Sequence, residues 1–208
     1  MFQRARTQQQ IENRKKEIIQ AMDTLYAQKE LNDIYLKDIA ESTKITRTAI
    51  YSYYKNKEEI LLDSLHFHFI RLDDGLEELL KKGKMDKYQI IDEITTLLVD
   101  NYMILKIMST DLETIEKHTT LEKLIELKKE LKHFQLCFQD LMIKNFPESN
   151  KETIKFILYT FIALLYGYYP LTNPSLIQKE AMEKTNTTIH TTLKELIAQS
   201  LTLLFQNL

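Results

Sequence analysis

Glycine and proline are both scarce, three of each in 208 residues. A strand-rich fold with many tight turns needs more of both, so the shortage points to long helices. Cys137 is the single cysteine, which excludes an intramolecular disulfide and suits a reducing compartment. It lies in an apolar stretch and reads as an inert core thiol. The opening MFQRARTQQQIENRKK has no apolar h-region, so no secretory leader is expected. No apolar run reaches the roughly 18 residues that span a bilayer; residues 157–169 come nearest. A cytoplasmic protein with no membrane partner is expected. There is no phosphate-binding glycine loop and no GxSxG.

What is present is charge asymmetry and helical periodicity. Residues 1–57 carry eleven Lys/Arg against seven Asp/Glu, and the remainder seventeen against twenty-three. A basic head on an acidic body suggests that the head meets a polyanion. Apolar spacing predicts helices over about 10–28, 35–42, 46–54, 57–82, 87–102, 104–110, 112–118, 121–145, 151–169 and 184–206. Asn56 and Glu59 have capping-box spacing before the fourth helix, with Gly83 as its stop. Pro170 should stop the helix over 151–169, and PLTNPSLIQKEAMEKTN after it reads as the one substantial loop. The fold class is all-α: a three-helix head over 1–57, then a helical body over 58–208.

The stretch KITRTAIYSYYKNKEEIL, residues 44–61, packs three tyrosines into four positions between cations. Thr46 can cap a short third helix. Helical spacing then sends Ile50 and Tyr54 inward with Ile45, and turns Arg47, Thr48, Tyr51 and Ser52 outward. A guanidinium can bind guanine through two hydrogen bonds, threonine can touch base edges, and phenols can donate to phosphate. Tyr51 and Tyr53 are read as backbone contacts, with Lys55 and Lys57 beside a flanking phosphate.

At Asp38-Ile39-Ala40, Thr46, Tyr51, Tyr53-Tyr54 and Lys57-Glu58, followed by Ile60-Leu61, the sequence resembles the TetR family of bacterial transcriptional repressors. The likeness covers roughly residues 15–65. It implies a helix-turn-helix head whose third helix enters a major groove, and a homodimer that reads a palindromic operator. Thr46 would cap the recognition helix. Arg47 and Thr48 would read bases, Tyr51, Tyr53 and Lys57 would hold the backbone, and Lys37 and Lys44 would add phosphate contacts. Lys44 stands where the family usually has glycine. Either it adopts a left-handed conformation at a cost of about 1 kcal/mol, or the turn differs. Ile34-Tyr35 replaces the usual Ser/Thr at the start of helix two.

The resemblance also implies that the last two long helices pair between monomers. Ile154, Ile157, Leu158, Phe161 and Leu165 on one, with Leu193, Leu196, Ile197, Leu201 and Leu204 on the other, would form that interface; one folded monomer could instead bury both helices. A small-molecule effector in the body would shift the two heads. Candidate lining residues are His66, Phe67, Asn101, Tyr102, Met103, Met108, His118, Phe134, Phe138, Tyr159 and Tyr166. The two tyrosines rank first, since phenols on apolar helices need partners. Two other readings compete: a protein-binding helical adaptor, and a di-iron bundle enzyme using Glu130 and His133. The second lacks a second Glu-x-x-His, and no catalytic residue, metal site or cofactor is expected.

Overall fold

The computed structural model describes residues 7–208, the side chain of Asn207 excepted. The expected lack of a leader rests partly on residues 1–6, as does the first stretch of the head, and these lie outside the described residues. Among the described residues the structure is all-helical: eleven α-helices, two short 3-10 turns and no strand, against the ten helical spans expected. The chain divides into two compact units, Met1–Phe67 with Glu113–Leu124, and His68–Leu112 with Ile125–Leu208. Sequence reading set the boundary at 57/58; the first unit also holds the opening turns of a long helix and residues 113–124.

In the first unit, α1 (Gln8–Tyr26) opens on Thr7, whose hydroxyl accepts from Gln10 N–H while the Gln10 side chain accepts from Thr7 N–H. Its buried face is Ile18, Ile19, Ala21, Met22 and Tyr26, and it packs on α2 (Leu36–Thr43), which packs on α3 (Arg47–Ile50). The Asp38 carboxylate accepts from Tyr35 N–H at 2.8 Å at the start of α2. Thr46 caps α3 as expected, accepting from Ala49 N–H at 3.2 Å. α3 is shorter than expected, because Tyr53 and Tyr54 N–H both close onto the Ile50 carbonyl and tighten residues 51–53 into a turn.

Lys44 ends α2 at φ 56°, ψ 17°, the left-handed conformation. Its Cβ crowds the following carbonyl there, whereas glycine has none. Lys44→Gly is therefore expected to stabilise the head by up to about 1 kcal/mol, less the extra freedom gained by the unfolded chain. Urea denaturation would show the midpoint rising; a clear fall would contradict the strain.

α4 (Lys57–Lys81) is capped by Asn56, whose Oδ1 accepts from Glu59 N–H at 2.8 Å. The return bond differs from a regular capping box: Glu59 accepts from Lys55 N–H, not from Asn56. The helix ends at Lys81, before Gly83, and in the second unit Lys144 donates to the Leu80 carbonyl at 2.7 Å, placing a cation at the negative helix end.

The helices α5 (Lys87–Asp100), α6 (Tyr102–Thr110), α7 (Leu112–Lys117) and α8 (Leu121–Asn145) follow closely on expectation. Three differences come after them. α9 (Lys151–Thr172) runs through Pro170. Proline removes one donor, and here the Thr172 hydroxyl bonds back to the Tyr168 carbonyl at 2.9 Å to finish the turn. The expected loop contains α10 (Leu176–Thr185), capped by Ser175 and closed by Asn186 at φ 53°. The last helix, α11 (Leu193–Leu204), starts nine residues later than read, at a Thr192–Glu195 capping box. α9 is also long and apolar enough to cross a membrane by length and composition, which run-counting missed because tyrosines interrupt it. In the second unit it packs against α6 and α11, and α11 packs against α5.

Candidate nucleic-acid interface

In the first unit a shallow concavity lies between the starts of α2, α3 and α4. Tyr35, Lys37, Arg47, Tyr51, Lys55 and Lys57 all line it. Arg47 Nη2 donates to the Tyr51 hydroxyl at 3.3 Å, and its guanidinium lies 5.7 Å from the centre of that ring. Both side chains are exposed. This pairing presents the guanidinium plane and holds it without burying it. Thr48 and Ser52 are exposed beside it, with the Ser52 hydroxyl donating to the Ala49 carbonyl. Thr46 and Lys44 are exposed too. Ile45, Ile50 and Tyr54 are buried, the inward side read from helical spacing.

Tyr54 is held inside the unit by charge as well as by packing. Lys15 and Lys123 approach its ring at 5.5 and 5.7 Å, and Lys123 pairs with Glu59 at 3.5 Å. Burial first, then the Asp63 carboxylate, pushes its phenol above the usual tyrosine range.

Two expected backbone contacts are placed otherwise. The Tyr53 hydroxyl is buried, because the turn at 51–53 rotates the ring inward, so it is not offered to phosphate. Lys57 Nζ donates to the carbonyls of Leu31 at 2.6 Å and Ile34 at 3.1 Å. Its ammonium ties the start of α4 to the 3-10 turn at Leu31–Asp33. Tyr35 was missed. It is 58% exposed and flanked by Lys37 at 5.4 Å and Lys57 at 5.8 Å. An aromatic two residues before a lysine was the available signal, but it was read only as the loss of a Ser/Thr.

The effector candidates are spread over both units. His66, Phe67 and His118 belong to the first unit and the other eight to the second. His118 is exposed, its ring bonded to the Thr114 carbonyl. Asn101 is buried with its amide donating to the Leu97 carbonyl, so it closes α5. Tyr102 is half-buried, and Met103 and Met108 are buried on α6. Phe134 and Phe138 are core: a row of rings runs Phe69–Phe134–Phe138–Phe161 with centroids 6.5, 6.2 and 5.6 Å apart. Tyr159 and Tyr166, ranked first, face out of α9, 53% and 41% exposed. Their exposure removes the reason for placing them in a pocket within the protomer.

Seven of the ten expected dimer residues are corrected in the same way. Ile154, Ile157, Leu158, Phe161, Leu165, Ile197 and Leu201 are buried inside the protomer, and Leu193, Leu196 and Leu204 are half-buried. An all-round apolar helix has two faces, and the sequence did not say which turns inward. The outward face of α9 carries Phe156, Tyr159, Ala163 and Tyr166, spaced by three and four, with Leu203 exposed on α11.

A capped two-helix turn with an exposed cationic and phenolic flank, followed by a helical body, defines a helix-turn-helix regulator of transcription. Residues 18–63 match the family model for bacterial regulatory proteins of the tetR family, and residues 68–206 match the tetracyclin repressor-like C-terminal domain. The chain belongs to the TetR family of bacterial transcriptional regulators. These are DNA-binding regulators, not enzymes, and the di-iron enzyme reading is discarded on that ground.

Over 97 residues the chain is 34% identical to the probable HTH-type transcriptional regulator ArpR of Pseudomonas putida, a match to 43% of this chain and 46% of that one. The chain thus spans about half the length of the curated relatives it matches. A TetR/AcrR-family regulator from Thermobifida fusca superposes with a TM-score of 0.66 at 17% identity, over 94% of this chain and 98% of that one. FadR from Bacillus subtilis, solved in complex with stearoyl-CoA, gives 0.63 at 16%, over 93% and 98%. At these identities the likeness is one of fold.

Proposed function

We propose that the chain is a cytoplasmic repressor whose head, residues 1–57, binds a palindromic operator as a homodimer and is released by a small molecule held in the body, residues 58–208. The exposed Arg47–Tyr51 pair at the start of α3 carries the reading. In this reading Arg47 offers its N–H donors to base edges from a recognition helix, and Lys37, Lys44 and Lys55 contact phosphate. The apolar outward face of α9 supports the dimer, since a face of this kind on a globular chain is an interaction surface. The stearoyl-CoA held by the B. subtilis FadR supports a small ligand in the body of this fold.

Arg47→Ala is expected to cost about 1–3 kcal/mol on the selected operator, or about 5- to 150-fold, and far less on random duplex. Lys55→Ala should weaken both alike. Gel shifts at one fixed salt concentration, on an operator selected from random duplexes, separate the two. Equal losses on operator and random DNA for Arg47→Ala would refute its role in base reading.

A further inference from the structure

In the second unit α4 and α8 lie side by side. Asp73 and Glu77 are four apart on the first, His133 and Cys137 four apart on the second, so each pair shares a helix face. The two faces meet. His133 Nδ1–H donates to Asp73 Oδ2 at 3.0 Å, and His133 Nε2 stands 3.5 Å from Glu77 Oε1. Cys137 Sγ is 3.8 Å from the same nitrogen. One ligand atom each from Glu77, His133 and Cys137 lies within 4.8 Å of the others.

We propose that Glu77, His133 and Cys137 form a binding site for a divalent transition-metal ion of the zinc type, with Asp73 as the residue that orients the imidazole.

The donor set is one carboxylate, one imidazole and one thiolate, which suits zinc and excludes the all-oxygen preference of magnesium or calcium. Ideal tetrahedral zinc spaces its nitrogen and oxygen ligands by about 3.3 Å and nitrogen and sulfur by about 3.5 Å. The nitrogen–oxygen and nitrogen–sulfur separations need to close by a few tenths of an ångström, and the carboxylate and thiol, within 4.8 Å of each other, close further as the exposed Glu77 side chain swings in. A metal-bound histidine usually gives its other N–H to a carboxylate, which fixes tautomer and ring plane. Asp73 does this, with a side chain 5% exposed. Its second oxygen, Oδ1, is buried without a hydrogen-bond partner, so the carboxylate is held at the site with acceptor capacity to spare.

Glu77 and His133 are half-exposed, with side chains 48% and 46% accessible, leaving an entry path and a fourth position for water. Charge points the same way. The carboxylates of Asp73 and Glu77 both face His133 at 3.0 and 3.5 Å, and a cation between these groups relieves their negative charge. On binding, the thiol proton leaves to solvent and the sulfur coordinates as thiolate. The single Glu130-x-x-His133 pair and the apolar run around Cys137 concealed this site, because its other half lies some 60 residues away on α4. The site stands independently of the operator reading.

The test uses the full chain, reduced, stripped with chelator and titrated with Co2+. We expect one ion per chain, a thiolate-to-cobalt charge-transfer band in the near ultraviolet, intense visible bands of four-coordination, and displacement by Zn2+. Cys137→Ser should abolish the charge-transfer band. Glu77→Gln, at an exposed position that leaves the core untouched, should weaken binding by at least about 10-fold. Circular dichroism checks that both variants fold. Absence of the charge-transfer band in the unaltered protein would overturn the proposal. So would unchanged Co2+ affinity in Glu77→Gln, whether or not Cys137→Ser folds.

Discussion

Truncating Phe138 to alanine should lower stability by about 3–5 kcal/mol, the usual cost of removing a fully enclosed aromatic ring. Phe138 is 0% exposed. It stacks on Phe161 of α9 at an interplanar angle of 24° and leans on Phe134, which meets Phe69 of α4 edge-on. Phe138 therefore ties α8 to α9, and Phe134 carries the row on to α4. The loss combines the area returned to water, the void left behind, and aromatic contacts worth about 0.5–1.5 kcal/mol per pair. For a chain of this size each kcal/mol moves the melting temperature by about 2–4 °C, so a fall of roughly 6–20 °C is expected. Phe138→Leu should lose well under half as much. Calorimetry with denaturant titration measures both. A loss below about 1 kcal/mol, the level of an ordinary surface change, would mean that the row of rings is not the centre of this core.

Phe156→Glu combined with Tyr159→Glu should turn the proposed homodimer into monomers. Phe156 is 72% exposed, the residue three positions on faces the same way, and Ala163 and Tyr166 continue the stripe. In a monomer these substitutions touch no core and should leave the melting curve within about 0.5 kcal/mol. Across a symmetric contact each change appears twice, and like charges meet in a space without water. Stranding an unpaired charge in such a place costs about 3–5 kcal/mol, which raises the dissociation constant by roughly two to four orders of magnitude. Analytical ultracentrifugation across a concentration series reads this directly. Operator affinity should fall with dimerisation, since each half-site alone supplies only half of the contacts. If the doubly substituted protein stays dimeric, the association face lies elsewhere, and the exposed Leu176 and Ile177 of α10 become the next surface to change.

Much of the head was legible because its signals are local. Thr46, Asn56 and Asp38 cap helices through hydrogen bonds within three residues, and those spacings are visible in any linear reading. Inward and outward sides of α3 followed from a period of 3.6 applied to a short amphipathic piece. The body was legible as helices but not as faces. When Ile154, Phe156, Ile157 and Tyr159 are all apolar or aromatic, periodicity cannot say which pair meets α6 and which meets solvent. α10 hid behind Pro170 and Pro174, which read as breakers although the second precedes a Ser175 cap. The fate of Lys57 and the meeting of α4 with α8 were invisible for another reason. Each depends on partners more than twenty residues away, and no local pattern encodes such a distance.

The tether made by Lys57 also changes how the basic character of the head should be counted. An ammonium already coordinated by two main-chain oxygens has given up part of its hydration and holds few mobile anions of its own. When the head meets a duplex, such a group displaces little of the ion cloud around the phosphates. The ionic-strength sensitivity of complex formation then belongs to exposed cations such as Lys37, Lys44, Lys55 and Arg47, and the formal surplus of positive residues overstates it.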